Sequence, residues 1–159
     1  MIRFKEEFSA LMQAAELKRR SGSGDLLREW VRTGVVIPLT PGVGKGQRAD
    51  YDEASLLAAV IARLLSEMHV VVSHYVPAFE DLHRHLRTLT RAEWLNVALL
   101  MTPTTARLLP VEGHRVSTEG QNLYGAILIA LKSVCEDLFS LPQNGQMQME
   151  LSVSPAGGT

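Results

Sequence analysis

Arg28 and Arg32 stand four residues apart, and Lys45 and Arg48 follow in a segment spaced by glycines at 42, 44 and 46. Two arginines on one helical face and two cations in a loop have the chemistry to bind phosphate, through charge-assisted hydrogen bonds to a polyanion. The Gly42-Val43-Gly44-Lys45-Gly46 run could also cradle a nucleotide phosphate. It lacks the Gly-Lys-Ser/Thr ending and the hydrophobic strand that such a loop needs. His74, His83 and His85 with Asp81 are the other group with ligand chemistry. Positions 83 and 85 do not share a helical face, which argues against a metal site. His69 and His114 have no serine, cysteine or carboxylate at a recognisable catalytic spacing, so both are expected in surface loops. With no nucleophile, acid/base pair or cofactor loop at a credible spacing, the expectation is a protein that is not an enzyme and uses no cofactor.

The elements around the cations decide how they could be presented. Leu26, Leu27, Trp30 and Val31 gather on one stripe of a helix and leave Arg28 and Arg32 on another, facing outward. Gly34 falls where a helix needs a residue tolerant of left-handed backbone, and Pro38 prevents continuation. The helix is therefore short, about two to three turns, the length of a recognition helix. The glycines that follow can form a hairpin tip carrying Lys45 and Arg48, and Asp52 is the expected N-cap of the next helix. Leu56, Leu57, Val60, Ile61, Leu64, Leu65 and Met68 form a broad apolar stripe on that helix, from about 53 to 68. Helix, glycine stop, basic loop and new helix is the layout of a winged helix-turn-helix.

On those residues, the stretch from 27 to 65 resembles the DNA-binding domain of the MerR-type transcriptional regulators. Leu27, Arg28, Trp30, Gly34, Val35, Val36, Pro38, Gly46, Arg48, Tyr51, Asp52, Glu53 and Leu56 stand in matching places. Glu29 and Gln47 replace aromatics of the family pattern, and the upstream Lys18-Arg19-Arg20-Ser21-Gly22-Ser23-Gly24 departs from it. The resemblance implies a homodimer that binds double-stranded DNA at a pseudo-palindromic operator. Arg28, Trp30, Arg32, Lys45, Gln47, Arg48 and Tyr51 would form the DNA surface, Trp30 partly packing the domain and partly bracing the backbone. Helices after residue 52 and the segment at 90 to 140 would supply dimerisation and possible response to an unknown effector.

Composition bounds the rest. At 159 residues and 46% hydrophobic content the chain can bury one or two small cores. Its net charge of −1 is unevenly spread: residues 1 to 48 hold nine Lys or Arg against five acids, a surplus of +4, which leaves the remainder at −5. A basic front and an acidic rear suit a DNA-binding module joined to a partner segment. Charged residues interrupt the N-terminus and no long apolar run exists, so a cytoplasmic protein off the membrane is expected. The lone Cys135 excludes an internal disulfide and is expected to be a buried core thiol.

Helical spacing predicts an amphipathic helix over 3–19 and another over about 73–89, with Pro77 in its first turn, packed antiparallel to the helix at 53–68. Two strands are predicted from the apolar run 94–101 and from 105–111, with a third at 114–117. Residues 124–139 fit a helix, with a short strand possible before it, and a flexible tail follows. The expected fold is α+β and mostly helical. Residues 1–68 form the winged helix-turn-helix domain, 69–140 a helix with a small β-containing dimerisation or effector segment, and 141–159 the tail. An alternative is a protein-interaction module, antitoxin-like or an adaptor, that uses the winged-helix scaffold without binding DNA.

Overall fold

A computed structural model describes residues 24–40, 42 and 49–139, and shows a mixed helical and antiparallel β architecture. The helix expected at 3–19, the tail from 141, and Lys45, Gln47 and Arg48 lie outside the described residues. Helix α1 (Gly24–Thr33) ends at Gly34, whose φ of 89° is one that side-chain-bearing residues rarely adopt. The left-handed turn brings the N–H groups of Gly34, Val35 and Val36 onto the Trp30 carbonyl at 2.9 to 3.1 Å, which satisfies that carbonyl of the last turn.

Asp52 caps helix α2 (Glu53–Glu67), its carboxylate accepting the Ser55 N–H at 3.1 Å. A left-handed His69 and a 3-10 turn (Val72–Tyr75) then reverse the chain into helix α3 (Val76–Thr88), with Pro77 in its first turn. Arg87 near the end of α3 bonds Asp52 at the start of α2, so the two helices pack antiparallel as the apolar stripes require.

The apolar run at 94–101 is not one strand. Thr90 and Glu93 form a reciprocal capping box that nucleates a helical turn, α4 (Arg91–Trp94). Trp94 thereby turns into the core, where its Nε1–H donates to the Leu86 carbonyl at 3.1 Å. Strand β1 starts only at Val97 (Val97–Met101) and pairs antiparallel with β2 (Ala106–Glu112) and β4 (Ile127–Ala130). With β3 (Arg115–Val116) the sheet has four strands in the order β3-β2-β1-β4. Helix α5 (Leu131–Phe139) continues directly from β4, so residues 127–139 hold both a short strand and a helix.

The outer edge of β2 is guarded. Thr102 N–H bonds Thr105 O and Val111 N–H bonds Asn96 O, which sets odd-numbered β2 residues toward β1 and even-numbered ones away. Ala106 N–H, pointing away, is taken by Asp81 Oδ2 at 3.0 Å, and Pro110 has no N–H to leave exposed. Both devices discourage pairing with a foreign strand.

Leu99, Met101, Ala106 and Ile129 on one sheet face join Leu57, Ile61, Leu65, Phe79, Leu82 and Leu86 in one apolar cluster. The same cluster reaches from Leu27, Trp30, Val35 and Val36 to Leu131 and Cys135, so the core runs continuously from α1 to α5. Burial and a smaller push from Glu136 outweigh the opposing pull of Arg91 and raise the Cys135 thiol to about 11, which leaves it protonated and poorly nucleophilic at neutral pH. No helix among the described residues is long and apolar enough to cross a membrane.

Candidate nucleic-acid interface

Helix α1 is laid against the core by Leu27 and Trp30, 7% and 5% exposed, with Leu26 and Val31 packed beside them. Trp30 is thus a packing residue. The indole is enclosed by apolar neighbours, and the backbone-bracing half of its expected role does not fit that burial. Arg28 and Arg32 project outward, with 81% and 71% of their side-chain surface exposed. Both are paired on their own helix: Arg28 with Asp25 at 2.6 Å, and Arg32 with Glu29 through a two-pronged contact at 2.6 and 3.0 Å. The hydrogen bond to Arg32 holds the Glu29 carboxyl below its ordinary range. Such exposed pairs are weak and screened by salt, so a polyanion can compete for both arginines.

Past Gly34 the chain is fixed from the rear. Val35 and Val36 are fully buried, and Ile37 N–H donates to Nε2 of buried His83 at 3.0 Å. Because that nitrogen accepts, His83 is the neutral tautomer with its proton on Nδ1, which donates to the Phe79 carbonyl at 2.7 Å. Burial, with help from Arg87 and against the Phe79 carbonyl and Asp52, pushes the His83 pKa down to about 4. The Ile37 carbonyl accepts from Ser55 Oγ and from Arg87, both at 2.6 Å. Arg87 also grips both oxygens of Asp52, at 2.9 and 3.0 Å. Burial alone would raise the Asp52 carboxyl, but the bonds from Arg87 and Ser55 outweigh it and hold the carboxyl below its usual value.

Beyond Pro38 the backbone of Leu39 and Thr40 bonds that of Asp50 at 2.8 to 3.3 Å, and Thr40 pairs with Asp50 as an antiparallel bridge. The two ends of the segment containing Lys45, Gln47 and Arg48 are therefore side by side. Tyr51 is half-buried against the core, and burial raises its phenol. The histidines are not brought together: His83 is enclosed, His69, His74 and His114 are exposed, and His85 lies 3.4 Å from Asp81. Among the described residues no group of three or more His, Cys, Asp or Glu could hold a metal.

His83, Arg87 and the Asp52–Ser55 pair were not visible as the brace of this surface. The one available signal was that His83 and Arg87 lie one turn apart beside the Phe79, Leu82 and Leu86 stripe, where polar groups need buried partners. No protein-family model matches the chain, and no curated protein matches it.

Proposed function

We propose that the chain is a DNA-binding transcription regulator with a winged helix-turn-helix of MerR type, acting as a homodimer on a pseudo-palindromic operator. The observation that carries this reading is the mounting of α1: a short helix, closed by a left-handed glycine, with its arginines outward and the Ile37 that follows it bonded to two further helices. Arg28 and Arg32 approach the major groove. Lys45 and Arg48 follow the phosphate backbone from a wing, a reading supported by the bridge that brings residues 40 and 50 together. Two copies double the number of phosphates neutralised and so the salt-dependent part of the affinity.

The test is binding of the full chain to random and genomic DNA fragments across a salt series, with the mass in solution recorded alongside. A dimer with steep salt dependence that enriches particular fragments is the expected result. Arg28→Ala should cost roughly 1 to 3 kcal/mol on the preferred fragments and relax their selection, whereas Arg48→Ala should weaken binding to all sequences about equally. Equal losses on preferred and random DNA for both variants would remove the base-reading role of Arg28.

A second reading, a protein-interaction module on the same scaffold, is favoured by the pairing of Arg28 and Arg32 with Asp25 and Glu29, which balances the charge on the exposed face. Glu29→Gln separates the two. It frees Arg32 and removes a charge that repels phosphate, so a DNA-binding helix gains affinity and a steeper salt slope. An unchanged, salt-insensitive signal would support the protein-contact reading.

A further inference from the structure

The sheet face turned away from the helices carries a half-open cavity of about 320 Å³, lined on one side by the segment that joins β3 to β4. Leu100, 4% exposed, is its floor. Thr102 and Thr105 stand at one end, their hydroxyls bonded to each other at 2.7 Å. Arg107 lies directly across from Leu100 in the strand register and so on the same face, and Gln121 and Tyr124 close the other side.

Among the described residues Arg107 differs from most arginines. Arg28, Arg32, Arg63, Arg84, Arg87 and Arg91 each meet a carboxylate. Among the described residues Arg107 instead donates to the neutral Gln121 Oε1, at 3.3 Å, a long hydrogen bond. A planar fork of donors is thus held at the mouth of a cavity with no carboxylate among the described residues at ion-pair distance. Tyr124 adds an aromatic ring at the rim that is 94% exposed, apolar area left open to a ligand.

We infer that this cavity binds a small organic monocarboxylate. Its carboxylate takes the Arg107 fork in place of Gln121, the threonine pair supplies one further hydroxyl donor because the other proton is committed to their mutual bond, and its carbon skeleton lies between Leu100 and the Tyr124 ring. One guanidinium balances one negative charge, so a carboxylate fits where a phosphate dianion would bring a second charge without a cation. The volume is at the small end of ligand pockets, which start at roughly 300 Å³. The site stands whether or not α1 binds DNA.

Pyruvate, benzoate and inorganic phosphate are titrated into the full chain near neutral pH, following backbone amides and the Arg107 Nε–H by ¹⁵N–¹H NMR. Saturable shifts confined to Thr105, Arg107, Gln121 and Tyr124 are expected with one of the two carboxylates. Arg107→Gln should weaken that binding roughly ten-fold, and Tyr124→Ala by a smaller factor, with circular dichroism unchanged because both side chains are exposed. Saturation by phosphate and by neither carboxylate overturns the ligand class. No saturation by any probe below about 10 mM, or shifts that survive Arg107→Gln unchanged, overturns the site.

Discussion

Arg87→Ala is expected to lower the unfolding free energy by about 2 to 3 kcal/mol, although the residue touches neither outward-facing arginine of α1. One guanidinium serves four acceptors: both oxygens of Asp52, the Ile37 carbonyl and Ser55 Oγ, at 2.6 to 3.2 Å. The pair is a quarter exposed, which places the cost below that of a fully enclosed ion pair. Removing the cation strips Asp52 of its counter-charge and leaves the Ile37 carbonyl with Ser55 Oγ as its remaining donor. Asp52 keeps its cap on α2, so the loss concentrates where residues 35–38 dock. Arg87→Lys should recover little, because a point charge cannot span acceptors on three residues.

Acid carries a second signature of the same contact. The Asp52 carboxyl is held below its unfolded value of 3.8, so its contribution is complete above about pH 4 and fades as pH falls through the lower folded value. Without Arg87 that acid limb moves up in pH. Urea unfolding of both proteins by circular dichroism checks the magnitude and the shift. A loss under about 0.5 kcal/mol would class Arg87 with ordinary surface pairs.

What could be foreseen about this chain follows sequence distance. Asp52 and the stripe from Leu56 to Leu65 act within one or two turns, and they predicted α2 and its cap. Gly34 and Pro38 predicted the end of α1 because left-handed backbone and a missing N–H are local properties. The 127–139 stretch was ambiguous for a physical reason: β4 passes into α5 without a loop, so the period changes inside one apolar run and both readings are present. Trp94 misled because an aromatic before an apolar run suits a strand, whereas the Thr90–Glu93 box fixes a helical turn there. The bonds that mount the candidate surface join residues separated by 46 and 50 positions, His83 to Ile37 and Arg87 to Ile37. Side-chain periodicity records which face is buried, but not which distant carbonyl a buried donor meets. The outward arginines were legible, and their neutralisation by Asp25 and Glu29 was open to the same spacing rule.

His83 should make stability depend on pH in a window that lies above that of Asp52. Its pKa is about 6.5 when unfolded and about 4 in the fold, chiefly because burial disfavours the cation. Between those values the unfolded chain holds more protons, so stability rises with pH there: complete above about 6.5, declining as pH falls toward 4, about 3 kcal/mol across the window. His83→Gln removes the titrating group while keeping an acceptor and a donor of similar reach. Its stability should be lower at neutral pH and nearly flat from pH 6.5 to 4, so that the two curves converge in acid. Urea midpoints collected across that range decide the matter, and parallel curves would show that His83 is solvated or already paired differently. The proton would have to enter at Nε2, the atom that accepts from Ile37 N–H, because Nδ1 already donates to Phe79. Protonation therefore severs one of the two hydrogen bonds that hold Ile37, at the end of the α1 turn, to α3, leaving the one from Arg87. Mild acid should loosen the mounting of α1 before it unfolds the sheet, visible as earlier amide exchange at residues 34–37 than in β1.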